Sequence, residues 1–327
     1  MLSLVLPLYR SEANLPELLT AVARLAQRID MEAVFVVDGS PDRCAELLER
    51  ELPRQPFASQ LVQLSRNFGS FSAIAAGLEY GNGDFFATLA ADLQAPPQLI
   101  SEFVTRLSSG QVDVVVGQRS SRDDAWFDRH IANLFWRFLQ RVAIADMPAG
   151  GVDTFACTRQ VRDALLACRE VDSSLVSLLF WLGFRREITP FVRGKRLAGK
   201  SAWSLRKKID YALYSLFNFT DLPVRLLLAT GAAASILALV VGTTVLSFWL
   251  MGRIRVPGYT ALALLIVFYG GANTFALGLI GQYTWLALQN ARRRPNYVVR
   301  GVQMYKWPAG AQPTFAPTDP NSAERTT

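Results

Sequence analysis

Two long segments of this chain carry no charged residue, and they limit its possible folds more than any other feature. Leu226–Met251 and Val256–Ala291 each exceed the roughly 20 residues that a helix needs to cross about 30 Å of hydrocarbon. Only residues 252–255 (GRIR) separate them. Because uncharged runs of this length are rare in soluble cores, the pattern predicts a transmembrane hairpin, with two buried core helices as the alternative.

Basic residues flank these two segments on their outer sides, whereas the link between them carries only Arg253 and Arg255. The positive-inside rule then places the flanking parts of the chain in the cytoplasm, with the lipid bilayer as a partner. Leu2–Leu8 is too short and lacks the basic flank of a signal peptide. The net charge of +7 therefore favours binding to anionic lipid headgroups or phosphorylated substrates, and nucleic acid is not expected as a partner. The predicted location is the cytoplasmic membrane.

Before the uncharged segments, short apolar runs alternate with helical patterns. This alternation predicts an α/β fold, in which a mostly parallel sheet carries helices on both faces. The expected strands cover residues 2–7, 33–37, 60–64, 85–90, 112–116 and 188–193, with a turn and short strand at 150–157. The helices between them include one at 126–142.

The chain is expected to have four parts. Residues 1–200 form the α/β domain, residues 201–224 form amphipathic helices, residues 225–291 form the transmembrane hairpin, and residues 292–327 form a strand and a disordered tail. In Trp203–Phe219 aromatic and aliphatic residues alternate with charged ones, which is typical of a helix at a membrane interface. A surface helix packed on a core is the alternative for this segment.

The most informative chemistry lies at the end of the strand at 85–90. Asp92 and Gln94 follow this strand directly, and a proline pair follows them. Carboxylate and amide oxygens suit Mg²⁺ or Mn²⁺, whose remaining ligands would be diphosphate oxygens and water. Such a metal would neutralise the charge on a departing nucleoside diphosphate. Helix capping is the simpler explanation for an isolated Asp in this position.

Other candidate residues lie at the ends of the neighbouring strands. Asp38 follows the second strand and is a candidate for contact with a base or ribose, with capping of the next helix as the alternative. Tyr9 follows the first strand, where its ring could stack on a base. Arg119 and Arg129 are candidates for gripping phosphate oxygens. A phosphate nucleophile is mostly dianionic at neutral pH, so no general base is required.

Together these segments resemble the polyprenyl-phosphate glycosyltransferases of glycosyltransferase family 2. The resemblance covers residues 2–299 and rests on several motifs. They are LVLPLYRSEANL, VVDGSPD, LSRNFG, AADLQAPP, VGQR, GKSAWSLRKK, the two uncharged segments and RRRPNYVV. The resemblance implies a Rossmann-like GT-A domain, a nucleotide-sugar donor (usually a UDP-sugar), an undecaprenyl-phosphate acceptor and inversion at the anomeric carbon.

The resemblance also implies a role for each matched residue. Asp92, Arg119 and Arg129 would be catalytic, and Asp92 and Gln94 would hold the metal. The nucleotide would contact Pro7, Tyr9, Glu12, Asp38, Asn67 and Ala91. The acceptor or its phosphate would contact Arg129, Asn133, Lys200, Ser201 and Arg206.

This chain departs from the family pattern at Val37, Ala90, Ala95 and Ala202. Asp92 is then the only acidic ligand left in its motif, which predicts weak metal affinity or a metal held mainly by the substrate. A catalytically weakened scaffold that binds nucleotide or lipid is the alternative function. Small residues at 231–235 and 270–272 would also permit a homo-oligomer.

Overall fold

The computed structural model describes residues 1–119, 152, 154–168, 174–192, 194, 222–251, 259–292 and 294–306. Its strands are β1 (Leu2–Leu8), β2 (Met31–Val37), β3 (Ala58–Leu64), β4 (Phe85–Thr88), β5 (Val114–Arg119), β6 (Thr154–Thr158), β7 (Arg186–Phe191) and β8 (Val299–Tyr305). Its helices are α1 (Leu15–Ala26), α2 (Cys44–Glu51), α3 (Ser70–Tyr80), α4 (Gln98–Ser108), α5 (Arg159–Ala167), α6 (Leu175–Trp181), α7 (Leu222–Leu250) and α8 (Tyr259–Ala291). Short 3-10 turns occupy Glu12–Asn14 and Leu52–Arg54.

The eight strands form one sheet in the order β7-β5-β6-β4-β1-β2-β3-β8. Six strands run in one direction, and β6 and β8 run antiparallel to their neighbours. The predicted α/β fold with a mostly parallel sheet is therefore confirmed. The helix expected at 126–142, the amphipathic segment at 203–219 and the tail after residue 306 lie outside the described residues.

Alternation along the central strands explains how the sheet is covered on both faces. Leu4 and Leu6 belong to the core that the sheet shares with α1, α2 and α4. Val5 points to the other face, where α3 packs so closely that a Cβ on Gly77 would lie 2.2 Å from the Val5 side chain. The sequence thus specifies a sheet with helices packed on both faces. A ligand site is therefore expected at the ends of the strands.

The chain divides into two compact units. The first comprises Met1–Lys207 with Pro295–Thr327, and the second comprises Lys208–Arg294. The second unit contains α7 and α8, and β8 returns to the sheet of the first. Among the described residues, no helix combines the length and the apolar character needed to cross a membrane. The transmembrane hairpin and the four domain boundaries stay predictions.

Candidate active site

The carboxyl ends of the parallel strands meet at one edge of the sheet, and most of the described candidate residues lie there. Pro7 lies in β1 opposite Val36 of β2, and Tyr9 follows β1. Asp38 follows β2, and Arg119 is the last residue of β5. In open α/β sheets, ligands bind in the crevice beyond these strand ends. The loops at this edge form two groups, described in turn below.

Asp38 is buried, with 3% of its surface exposed, and its carboxylate organises the loop that follows β3. Its two oxygens accept the backbone N–H groups of Phe68 at 2.7 Å and Gly69 at 2.9 Å. The side-chain amide of Asn67 donates to the Asp38 carbonyl at 3.4 Å. Burial raises the pKa of Asp38, against the lowering effect of the two N–H donors and of Arg66. Asp38 therefore holds the backbone of the LSRNFG segment in place.

Gly39 brings the backbones of two loops into contact. It has a φ of +54°, a conformation that L side chains rarely adopt. A Cβ at this position would lie 2.2 Å from the carbonyl carbon of Arg66 and 2.4 Å from the nitrogen of Asn67. Only glycine permits this approach of the β2–α2 loop to the β3–α3 loop.

Glu12 and Asp42 fasten the β1–α1 loop to the β2–α2 loop. The Glu12 carboxylate accepts the backbone N–H of Arg43 at 3.1 Å and two guanidinium donors of Arg43, at 2.6 and 3.0 Å. In return, the Asp42 carboxylate accepts the backbone N–H of Glu12 at 3.0 Å and the Ser40 hydroxyl at 2.6 Å. The hydrogen bonds from Arg43 lower the pKa of Glu12. We call this reciprocal pair of contacts the Glu12–Asp42 clasp.

The clasp extends to the candidate base-stacking residue. The Ser40 Oγ accepts the backbone N–H of Arg10 at 2.7 Å, and Arg10 has a φ of +52°. The Arg10 guanidinium lies 5.5 Å from the ring centroid of Tyr9, whose exposed fraction is 40%. Tyr9 is thus accessible to a ligand, while its backbone is held by the neighbouring loop.

Residues 90–94, here called the β4 loop, form the second group. Ala90 is exposed, Ala91 is buried, and the Leu93 N–H donates to the Ala90 carbonyl at 3.2 Å to close a tight turn. Leu93 has a φ of +49°, a strained conformation for a branched residue that costs about 1 kcal/mol or more. The Asp92 Oδ1 accepts the Gln94 N–H at 3.4 Å, and the Gly194 N–H donates to the Gln94 carbonyl at 2.8 Å.

The donor set of the β4 loop decides which metal chemistry it can support. Among the described residues, no group of three or more His, Cys, Asp or Glu side chains is placed to hold a metal. Asp92 and Gln94 offer one carboxylate and one amide oxygen. Mg²⁺ in proteins is commonly bound by one or two carboxylates together with substrate phosphates and water. The residues present therefore fit a divalent metal that is completed by the diphosphate of a bound nucleotide.

Residues 297–299, which lead into β8, also lie at this edge of the sheet. The sequence patterns did not predict this position for them. The Ser65 N–H donates to the Val298 carbonyl at 2.9 Å, and β8 pairs with β3 as far as Leu64 and Val299. The Tyr297 hydroxyl donates to the Glu79 carboxylate on α3. The C-terminal strand thus supports the loop that Asp38 organises. The only signal for it in the sequence was the RRRPNYVV motif.

The remaining candidate residues lie at the boundary of the described part of the chain or outside it. The side chain of Arg119 is not described, and the calls on Arg129, Asn133, Lys200, Ser201 and Arg206 lie outside the described residues. The roles assigned to all the candidate residues stay predictions.

The comparisons with known proteins agree with the motifs. Residues 3–165 match the model of the glycosyl transferase family 2 domain. An undecaprenyl-phosphate 4-deoxy-4-formamido-L-arabinose transferase of Pseudomonas aeruginosa is 33% identical over 312 residues, covering 92% of this chain and 90% of the relative. A prophage bactoprenol glucosyl transferase homolog of Escherichia coli is 26% identical over 305 residues, covering 92% and 99%.

Among solved structures, a mannosyltransferase from Pyrobaculum calidifontis in complex with GDP-Man and Mn²⁺ matches with a TM-score of 0.46 and 18% identity. The match covers 89% of this chain and 86% of that one. The whole-chain similarity to the Pseudomonas relative and the family 2 domain confirm the resemblance predicted from the motifs. The chain belongs to glycosyl transferase family 2.

Proposed function

We propose that this glycosyltransferase transfers a sugar from a UDP-sugar to undecaprenyl phosphate at the cytoplasmic face of the membrane. The observation that carries the proposal is that the Asp38-organised loops and the β4 loop lie at the same edge of the sheet. Relatives named as undecaprenyl-phosphate and bactoprenol transferases, similar along almost the whole chain, support the lipid acceptor. The product would be a polyprenyl-phosphate-linked sugar for a cell-envelope glycan or lipid.

The residues of this chain bind and orient the two substrates, and no residue is needed to remove a proton. The loops after β1, β2 and β3 receive the nucleoside, with Tyr9 against the base. Asp92 and Gln94 would hold Mg²⁺ or Mn²⁺, and the metal would supply charge neutralisation for the departing diphosphate. The acceptor phosphate is already anionic and attacks the anomeric carbon opposite the diphosphate, which inverts its configuration. Catalysis then rests on positioning and electrostatic stabilisation.

We place α7 and α8 in the membrane as a hairpin. Both helices expose large apolar side chains along their length, including Ile236, Val240, Leu265 and Phe268. Such a surface is unusual for a helix in water. Hydroxyl groups on these helices donate to carbonyls of their own turn, as Thr244 does to Val240 at 2.7 Å and Thr284 to Ile280 at 2.9 Å. Internal hydrogen bonds of this kind suit a medium without water.

A catalytically weakened scaffold is the second candidate. The observation that favours it is the exposed Ala90 at the end of β4, where the family pattern has an acid. Such a protein would bind nucleotide or polyprenyl phosphate without turnover.

A donor screen separates the two functions. The full chain, purified in detergent, is mixed with undecaprenyl phosphate and each nucleotide sugar, in Mg²⁺, Mn²⁺ or chelator. We expect one UDP-sugar to give a sugar-phosphate-lipid mass, and chelator to abolish it. Nucleotide binding without product from any donor would establish the scaffold instead. An Asp92→Asn sample serves as the matched control for contaminating transferases.

A further inference from the structure

The described part of the α/β unit exposes three large apolar side chains within one short stretch, residues 181–192. The exposed fractions are 64% for Trp181, 39% for Ile188 and 73% for Val192. Scattered apolar residues on a surface need no explanation, but a group that includes a tryptophan marks a contact surface.

Ile188 and Val192 follow one face of an edge strand, and Trp181 is the last residue of α6. Among the described strands, β7 pairs only with β5, and its alternate residues Thr189 and Phe191 are buried at 4% and 5% exposure. The opposite face carries Ile188 and Pro190, and the strand direction continues it to Val192. We call Trp181, Ile188, Pro190 and Val192 the β7 face.

Arg186 links the end of α6 to this face. Its guanidinium lies over the Phe180 ring, at 5.1 Å from the centroid, and donates to the Phe180 carbonyl at 2.9 Å. Arg186 shares its side of β7 with Ile188 and Pro190, because alternate residues of a strand point the same way. Trp181 is the residue after Phe180 and the last of α6, so Arg186 connects the end of this helix to β7.

The other end of the β7 face lies beside the candidate active site. Gly194 follows Val192 by two residues, and its N–H donates to the Gln94 carbonyl of the β4 loop at 2.8 Å. Whatever covers Val192 is thus brought close to the loop that carries Asp92.

The charge of the following sequence indicates the chemistry of the partner. No acidic residue occurs from Ile188 to Ile209, while seven basic residues do: Arg193, Lys195, Arg196, Lys200, Arg206, Lys207 and Lys208. An apolar face with a tryptophan, continued by cationic sequence, complements the headgroup region of an anionic bilayer. A soluble acidic protein would complement the charge but would have no need of the exposed apolar strand.

We propose that the β7 face is a membrane-docking surface, which rests on the headgroups of anionic lipids and holds the β4 loop near a lipid-borne acceptor. The inference rests on the proposed function, because it assumes an acceptor that stays in the bilayer. It adds a contact from the catalytic unit itself, distinct from the anchoring assigned to α7 and α8.

Fluorescence quenching by lipids tests this contact. A bimane label is placed on Val192→Cys, and on Gln27→Cys, directly after α1, as the matched control; both native side chains are exposed. Cys168 is replaced by Ser. Cys44 and Cys157 are buried, and burial raises the pKa of each thiol to about 12, so neither reacts at neutral pH.

The labelled full chain is reconstituted in vesicles of phosphatidylcholine and phosphatidylglycerol that carry a doxyl-labelled lipid. We expect quenching at position 192 to exceed quenching at position 27 by about two-fold or more, and to fall as phosphatidylglycerol is removed. Equal quenching at the two positions would overturn the docking surface. Quenching at 192 that is independent of phosphatidylglycerol would overturn its assignment to anionic headgroups.

Sugar transfer to undecaprenyl phosphate is measured in the same vesicles, so the two hypotheses fail separately. Transfer without quenching at position 192 would remove the docking surface and leave the proposed function. Quenching without transfer from any donor would leave a membrane-docked protein and remove the proposed function. A chain that does not float with the vesicles would contradict both.

Discussion

The two groups of loops at the edge of the sheet are built in opposite ways. The loops after β1, β2 and β3 are held by buried Asp38, by the contact at Gly39 and by the Glu12–Asp42 clasp. The β4 loop offers one carboxylate and has exposed Ala90 beside it. In the proposed function, the nucleoside end of the site would therefore be preorganised by the protein, whereas the diphosphate end would be completed by the substrate and its metal.

The largest effect is expected from Asp92→Asn, which removes the only carboxylate of the β4 loop. An amide cannot neutralise a divalent metal, so kcat should fall by at least about 100-fold. The thermal unfolding temperature should stay unchanged, because Asp92 is only half-buried. Steady-state kinetics and calorimetry measure both quantities. Asp30→Asn, at an exposed carboxylate on the opposite edge of the sheet, is the control; retention of full activity by Asp92→Asn would place the metal elsewhere.

Gly39→Ala should disrupt the contact between the β2–α2 loop and the β3–α3 loop. The new Cβ would overlap the backbone of Arg66 and Asn67, and the positive φ adds strain, so we expect a loss of about 2–4 kcal/mol in the free energy of unfolding. Nucleotide affinity should fall with it, since the two loops can no longer touch. Urea unfolding and nucleotide titration measure the two losses.

Gly110→Ala is the matched control for this change. Gly110 also has a positive φ, of +70°, but a Cβ there would meet nothing within 4 Å. The added backbone strain should lower its free energy of unfolding by only about 1 kcal/mol, and nucleotide affinity should be unchanged. Equal losses from the two variants would show that the contact between the loops contributes nothing.

Ala90→Asp tests the β4 loop in the opposite direction, because it adds a second carboxylate to the loop that holds Asp92. Ala90 is exposed, so the change should be tolerated. A second carboxylate should tighten Mn²⁺ binding in the absence of nucleotide by about ten-fold, because affinity follows the charge of the ligands. Electron paramagnetic resonance of free Mn²⁺ measures it. The neutral Ala90→Asn should leave binding unchanged; a gain of the same size there would argue against charge as the cause.

The contrast between the two groups also marks how far the sequence alone could go. The order of strands and helices followed from apolar periodicity, because local sequence patterns decide which residues are buried. Individual strand ends differed, as at β4, β5 and β7, by two or three residues. The motifs identified both Asp38 and Asp92 as candidate site residues. They did not show that the buried Asp38 carboxylate binds backbone N–H groups of a neighbouring loop, whereas Asp92 is partly exposed. That distinction depends on Phe68 and Gly69, which are 30 and 31 residues away from Asp38. The same limit applies to β8, whose position beside β3 depends on a contact across most of the chain.

The smallest effect is expected from the clasp, and it should depend on pH. Hydrogen bonds from Arg43 hold the pKa of Glu12 below its ordinary value of 4.5, so the folded state favours the carboxylate more than the unfolded state does. The stabilisation is therefore complete above about pH 4.5 and is lost as the pH falls through the lowered pKa. Glu12→Gln should reduce the unfolding temperature slightly at pH 7 and leave it unchanged near pH 3. Differential scanning fluorimetry from pH 3 to 7 measures the difference, with Glu17→Gln, at an exposed acid on α1, as the control. A difference that is constant with pH would mean that the Glu12 carboxylate adds nothing through its charge, and the preorganisation of the nucleoside end would then rest on Asp38 and Gly39 alone.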